Sequence, residues 1–162
     1  MSARRLFAVT VLALAACQGS QSRASAPSPA VTGSVTLDRT TCFGRCPVYS
    51  VKLSSDGAVV FTGRQNVSAM GESRGSVSAA AAQALLREFE TAGFFTLDSM
   101  YVSGRANCRI FGTDHPSLVL NATLGDKSRR VLLDTGCQTA PSAIEMLAAR
   151  VDSVTGSARW IK

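Results

Sequence analysis

Three patterns of apolar and polar residues follow one another along the chain. Leu6 to Leu14 is a short apolar run, preceded by Arg4 and Arg5 and followed by Ala15-Ala16-Cys17. Gln18 to Gly33 reads QGSQSRASAPSPAVTG and contains nothing that could bury a face. From Ser34 onward, apolar positions recur with period two or with helical spacing, which predicts one folded domain over residues 34–162.

Within that domain, Ser34–Thr40 alternates with Val35 and Leu37 on one side, and Val48–Ser54 alternates with Tyr49, Val51 and Leu53 on one side. Asp56-Gly57 is a hairpin turn signal, and Ala58–Thr62 returns as the partner strand. Gln65–Val77 is polar, carries Gly71 and Gly75, and reads as a bulged edge strand. Ser78 is placed to cap a helix over 79–92, with Ala82, Leu85, Leu86 and Phe89 as its stripe and Gly93 as its stop. Phe94, Phe95 and Leu97 are expected under the sheet, and Ser99–Pro116 reads as a loop.

Leu118, Leu120, Ala122 and Leu124 alternate. After Gly125-Asp126, residues 129–134 run back as a second hairpin. Ser142 and Glu145 have capping-box spacing before a last helix to Thr155, striped by Ile144, Leu147, Ala148, Val151 and Val154 and ended by Gly156. Trp160 is expected to pack on the domain. The order ββββαββα predicts an α+β two-layer sandwich, a mainly antiparallel sheet of about six strands with two helices.

The N-terminal run is too short to span a hydrocarbon layer of about 30 Å. With its basic start and small residues before a cysteine, it reads as an export signal over 1–16. Leu14-Ala15-Ala16-Cys17 resembles the bacterial lipoprotein box, which implies a diacylglycerol on the Cys17 thiol and a new, acylated N-terminus. Residues 17–33 are then a lipidated cysteine and a leash spanning roughly 20–25 Å on average. The implied location is the cell envelope, with the membrane as partner through Cys17. Gln18, where an aspartate would favour inner-membrane retention, points to the outer membrane facing the periplasm.

Apolar residues make up 46% and charged residues 17% of the chain, the balance of a globular core. The 17 basic against 11 acidic side chains give +6, and loss of Arg4 and Arg5 with the signal leaves 15 against 11, or +4. So small an excess outside the cytoplasm argues against a nucleic-acid partner, and it fits an envelope protein or an acidic polymer.

Thr41-Cys42-Phe43-Gly44-Arg45-Cys46-Pro47-Val48-Tyr49 follows one strand and enters the next. With Asp56-Gly57, Gly93-Phe94-Phe95, Thr113-Asp114-His115-Pro116-Ser117, Gly136-Cys137 and the Trp160-Ile161 ending, it resembles the bacterial domain of unknown function 6438 family, frequent on lipoproteins. The resemblance spans about Val35 to Ile161 and rests most on CFGRCPVY. It implies one compact domain with both hairpins and both helices, brings no catalytic residue, and implies that CFGRCP is one unit and Cys108 with Cys137 another.

Once lipid occupies Cys17, four of the five cysteines remain, and four cysteines allow three pairings. Chain entropy alone ranks a crossed pairing at least as high; locality favours Cys42–Cys46 and Cys108–Cys137, worth about 2 and about 3.5–4 kcal/mol. Two other chemistries are open to these cysteines. A redox-active Cys42/Cys46 pair would have Arg45 as a nearby cation, but no helix N-terminus and one residue more than thioredoxin-type spacing. Zinc could take four thiolates, or three with His115, though Cys108 and Cys137 lack close partner cysteines. No cofactor or metal is assigned.

Asp114, His115 and Ser117 have hydrolase residue types, but neighbours so close in sequence rarely converge as nucleophile, base and orienter. His115 is the single histidine, which excludes sites built on two imidazoles. Arg105, Arg109, Arg129 and Arg130 read first as a solvated face, and would form a patch for an acidic polymer or a phosphate-bearing lipid if the long loop folds over the second hairpin. Together these features predict a non-enzymatic, lipid-anchored binding or structural module. The alternatives are a thiol redox protein or enzyme using Cys42 and Cys46, or an inhibitor or adaptor for an envelope enzyme.

Overall fold

A computed structural model describes residues 30–162; the expected signal, Cys17 and most of the leash lie outside the described residues. The strands are β1 (Gly33–Arg39), β2 (Val48–Ser54), β3 (Ala58–Gln65), β4 (Gly71–Ser76), β5 (Met100–Tyr101), β6 (Ser117–Leu124) and β7 (Lys127–Asp134). The helices are α1 (Ala79–Thr91), α2 (Ala143–Thr155) and the one-turn α3 (Ala158–Ile161), with a 3-10 turn at Phe94–Thr96. One sheet runs β4-β3-β2-β1-β6-β7-β5. Every pairing is antiparallel except β5 with β7. The α+β class and element order agree with the sequence pattern, apart from two short elements. β5 makes seven strands by docking on Leu132 and Leu133 from a stretch read as loop, and α3 follows α2.

Alternation sets the two faces. Val35 and Leu37, Tyr49, Val51 and Leu53, Val59 and Phe61, and Leu118, Leu120 and Ala122 all point to one side and are buried. There they meet Leu85, Leu86 and Phe89 of α1 and Ile144, Leu147 and Val151 of α2. The other side carries Ser34, Thr36, Ser50 and Lys52 and is open. The core draws on both helices and on strands from both hairpins, with Val31 at one end of the described chain and Ile161 at the other packed against it.

Local signals hold with two shifts. Ser78 caps α1 as expected, its hydroxyl accepting from Ala81 N–H at 3.2 Å. Ser142 does not complete the expected capping box: its own backbone is already helical and its side chain makes no cap bond. A box needs an extended N-cap residue. α2 ends at Gly156 with φ 64°, the left-handed conformation that favours glycine. The bulge expected in the edge strand falls instead between Val48 and Tyr49, where the cysteine loop enters the sheet.

The two ends of the sheet carry different segments. The start of β1, the β2–β3 turn and the β6–β7 turn share one end, joined by Ser55 N–H to Gly33 O (3.0 Å) and Gly125 N–H to Thr32 O (2.9 Å). The described chain enters the sheet here, so the expected leash would join at this end. Loops 40–47, 66–70 and 112–116 and the chain after β7 share the opposite end, about 23 Å away along β1. No described helix is long and apolar enough to cross a membrane.

Candidate functional site at the cysteine end

Both disulfides sit at the end opposite the leash. Cys42 and Cys46 are bonded, with Cα atoms 5.8 Å apart, and close a loop folded back through Gly44 N–H to Cys42 O at 2.9 Å. Asn66 Nδ2 donates to Cys46 O at 3.0 Å and ties the loop to the β3–β4 turn. The apex side chain, Phe43, is 91% exposed. Cys108 and Cys137 form the second bond, Cα atoms 5.5 Å apart, and both are buried. It pins the 102–116 stretch to the end of β7, beside Gly112 N–H to Gly136 O (2.8 Å) and Gln138 N–H to Ile110 O (2.9 Å). A Cβ on Gly136 would lie 2.1 Å from Gly112 O, so only glycine permits this approach.

Beside the small loop lies a cavity of about 150 Å³, walled by Cys46 and Pro47 on one side and by Pro116, Ser117, Leu118 and Thr135 on the other. Its lining is mostly carbon. Arg39 closes it from the core side, and its charge is already matched: Nη2 and Nε donate to Asp152 Oδ2 at 2.7 and 3.0 Å. Tyr49 Oη accepts from Arg39 Nε at 3.0 Å and donates to Asp152 Oδ1 at 2.6 Å, and Ser157 Oγ donates to the same oxygen at 2.7 Å. Sequence reasoning did not find this network. Its signal was present, since Arg39 continues the inward register of Val35 and Leu37 and a part-buried guanidinium requires a carboxylate.

Burial pushes the Tyr49 phenol above its ordinary 10.0, and its bond to Asp152 adds to the rise. Burial opposes the charge on Arg39, yet Asp152 and Tyr49 outweigh it and hold the guanidinium more firmly protonated. Because the folded-state phenol is raised, its stabilising effect is complete below pH 10.0 and is lost as pH climbs beyond it. An ultraviolet titration should therefore show one of the two tyrosines ionising well above the ordinary range, and Tyr49→Phe should remove that phase. A Tyr49 phenol ionising near 10.0 would contradict the buried network.

The residues singled out in sequence are dispersed. Asp114 Oδ2 accepts from Thr113 Oγ1 at 3.3 Å, and the exposed His115 ring lies 3.2 Å from where a Gly112 Cβ would stand. Ser117 is held through its backbone, its N–H donating to Thr40 Oγ1 at 2.9 Å. No hydrogen bond links Asp114, His115 and Ser117 among the described residues. Arg129 and Arg130 occupy consecutive positions of β7 and so point to opposite faces. Arg129 turns under the sheet to the Leu97 carbonyl, Arg130 faces the open side, Arg105 Nη2 lies against Met100 Sδ at 3.6 Å, and Arg109 N–H bonds Thr139 Oγ1. They make no single patch. Among the described residues, no group of three or more His, Cys, Asp or Glu side chains could hold a metal ion.

Fold and site together define a small disulfide-braced α+β domain with its irregular loops gathered at one end. The family model described as domain of unknown function (DUF6438) matches residues 33–155, well over half of the chain, and the chain belongs to that family. The match runs from β1 through α2 and includes both disulfides. No curated protein matches the chain.

Proposed function

We propose that the protein is a lipid-anchored, non-enzymatic binding module of the cell envelope that presents its cysteine end to a protein partner. The observation that carries this reading is Phe43, a nearly fully exposed aromatic at the apex of a disulfide-closed loop. A preformed loop avoids most of the ordering entropy of binding, and aromatic and arginine side chains such as Phe43 and Arg45 are frequent anchors of protein interfaces. Met70, 62% exposed in the β3–β4 turn, and Ile110, 56% exposed beside the second disulfide, lie at the same end. With the leash entering at the opposite end, an anchor on Cys17 leaves this end free to face away from the bilayer.

A photo-crosslinking residue at position 43 in cells should give one discrete protein adduct, and the same residue at Asp126 in the leash-end turn should give none. Equal labelling at both positions, or none at either, defeats the binding reading. Intact mass of membrane-extracted protein should show the acyl adduct on Cys17; an unmodified Cys17 overturns the anchor.

A further inference from the structure

Building on the proposal that the cysteine end is a protein-binding surface, we infer that its partner is a second copy of this chain, joined by a two-fold exchange of Phe43 side chains. The loop that carries Phe43 also supplies, through Cys46 and Pro47, one wall of the adjacent cavity. A knob and a hole side by side on one surface are self-complementary under two-fold rotation, because each copy then offers both halves of the contact. The cavity holds about 150 Å³ and is walled largely by carbon, a size and character that accept a benzene ring. Phe43 leaves its own cavity unfilled: it is 91% exposed, and the disulfide keeps the five-residue loop from bending over.

Charge agrees with this occupant. Arg45 stands on the exposed side of the Cys46–Pro47 wall, and Asp114 on the exposed loop that leads into the Pro116–Ser117 wall. Neither has an ion-pair partner among the described residues. Seating the 42–46 loop of one copy over the cavity of the other brings Arg45 toward the second copy's Asp114, twice across the axis. A largely carbon-lined hole, whose one charged lining residue Arg39 is already paired with Asp152, flanked by one cation and one anion fits a partner with the same pair in reverse. The seven strands are about 29 Å across, and the 42–46 loop with its cavity takes up only part of that end, so the interface falls at the small end of specific contacts and the dimer is weak.

Sedimentation equilibrium on the chain from Gln18, which keeps the whole core and both disulfides, tests this. The expected result is a reversible monomer–dimer equilibrium over roughly 10 μM to 1 mM. Phe43→Ser should raise the dissociation constant about tenfold or more without changing the thermal melt. Arg45→Gln and Asp114→Asn should each weaken the dimer, and the double variant should be no weaker than either single one. Asparagine is the safe replacement at 114, because the backbone there has φ 64°. A dimer indifferent to Phe43, or Arg45 and Asp114 effects that simply add, overturns the arrangement. If the chain stays monomeric while position 43 crosslinks to a different protein in cells, the self-pairing falls and the binding reading stands. If neither association nor an adduct is found, both fall.

Discussion

Replacing Cys108 and Cys137 together by alanine should cost the domain about 3.6 kcal/mol. The two are 29 residues apart, and the chain-entropy relation for a loop of that length returns this figure. Both side chains are buried, so exchange for a small apolar residue introduces no unpaired polar atom, and the loss reports mainly the cross-link. Removing Cys42 and Cys46 in the same way should cost only about 2 kcal/mol, because their loop is far shorter. Urea denaturation of both variants beside the parent chain gives the comparison, with equal slopes required before midpoints are converted to free energies. A loss below about 1 kcal/mol for the 108–137 pair would mean that the hydrogen bonds between Gly112 and Gly136 and between Ile110 and Gln138 hold the loop unaided.

The two pairs should also separate in function. Loss of 108–137 frees the loop beside the cavity, whereas loss of 42–46 frees the Phe43 apex itself. The smaller thermodynamic change should therefore have the larger effect on crosslinking from position 43. The physical reason is preorganisation: a loosened apex must be ordered on every encounter.

Phe61→Ala should be as damaging, at about 3–5 kcal/mol. The ring is fully buried in the middle of β3, stacked on Tyr49 at 5.2 Å between centroids and on Trp160 at 5.0 Å. Truncation leaves a cavity bounded by two rigid rings that cannot collapse inward, which is where large-to-small changes cost most. Trp160 is the only tryptophan, so its fluorescence reads the contact directly: emission should shift to the red with the fall in stability. The Trp160 carbonyl also accepts from Ala69 N–H at 3.0 Å and from Ser68 Oγ at 2.9 Å, so a loosened α3 would release the β3–β4 turn that carries Met70. An unshifted emission spectrum with a loss under about 1.5 kcal/mol would show that α3 contributes little to the core.

Much of this fold is legible in single residues and their spacing. The inward positions of β1, β2, β3 and β6, the α1 stripe and its Ser78 cap, and the turns at Asp56-Gly57 and Gly125-Asp126 all follow from period and turn chemistry. Where local reading missed, a tertiary contact intervened. Residues 100–101 lack any strand periodicity and become β5 only because the parallel edge of β7 is there to pair with. Ser142 satisfies the capping-box pattern, yet its helical backbone denies the side chain its bond. Arg129 and Arg130 are neighbours in sequence, and the pleat separates them.

The candidate site was legible only in parts. CFGRCP stands out as a motif, but nothing near it announces the cavity, whose other wall comes from residues 116–118 and 135. Arg39 and Asp152 are 113 positions apart, and Tyr49 and Asp152 are 103 apart. By itself, the sequence determined what neighbouring residues decide: strands, helices, turns, and the face that each element buries. The tertiary structure decided which loops meet, because β1 lies between β2 and β6. That order carries the 40–47, 112–116 and post-β7 segments to one end of the sheet. Strand order depends on long-range pairing energy that no local pattern encodes, and at this end it turns scattered cysteines, prolines and one exposed phenylalanine into a surface.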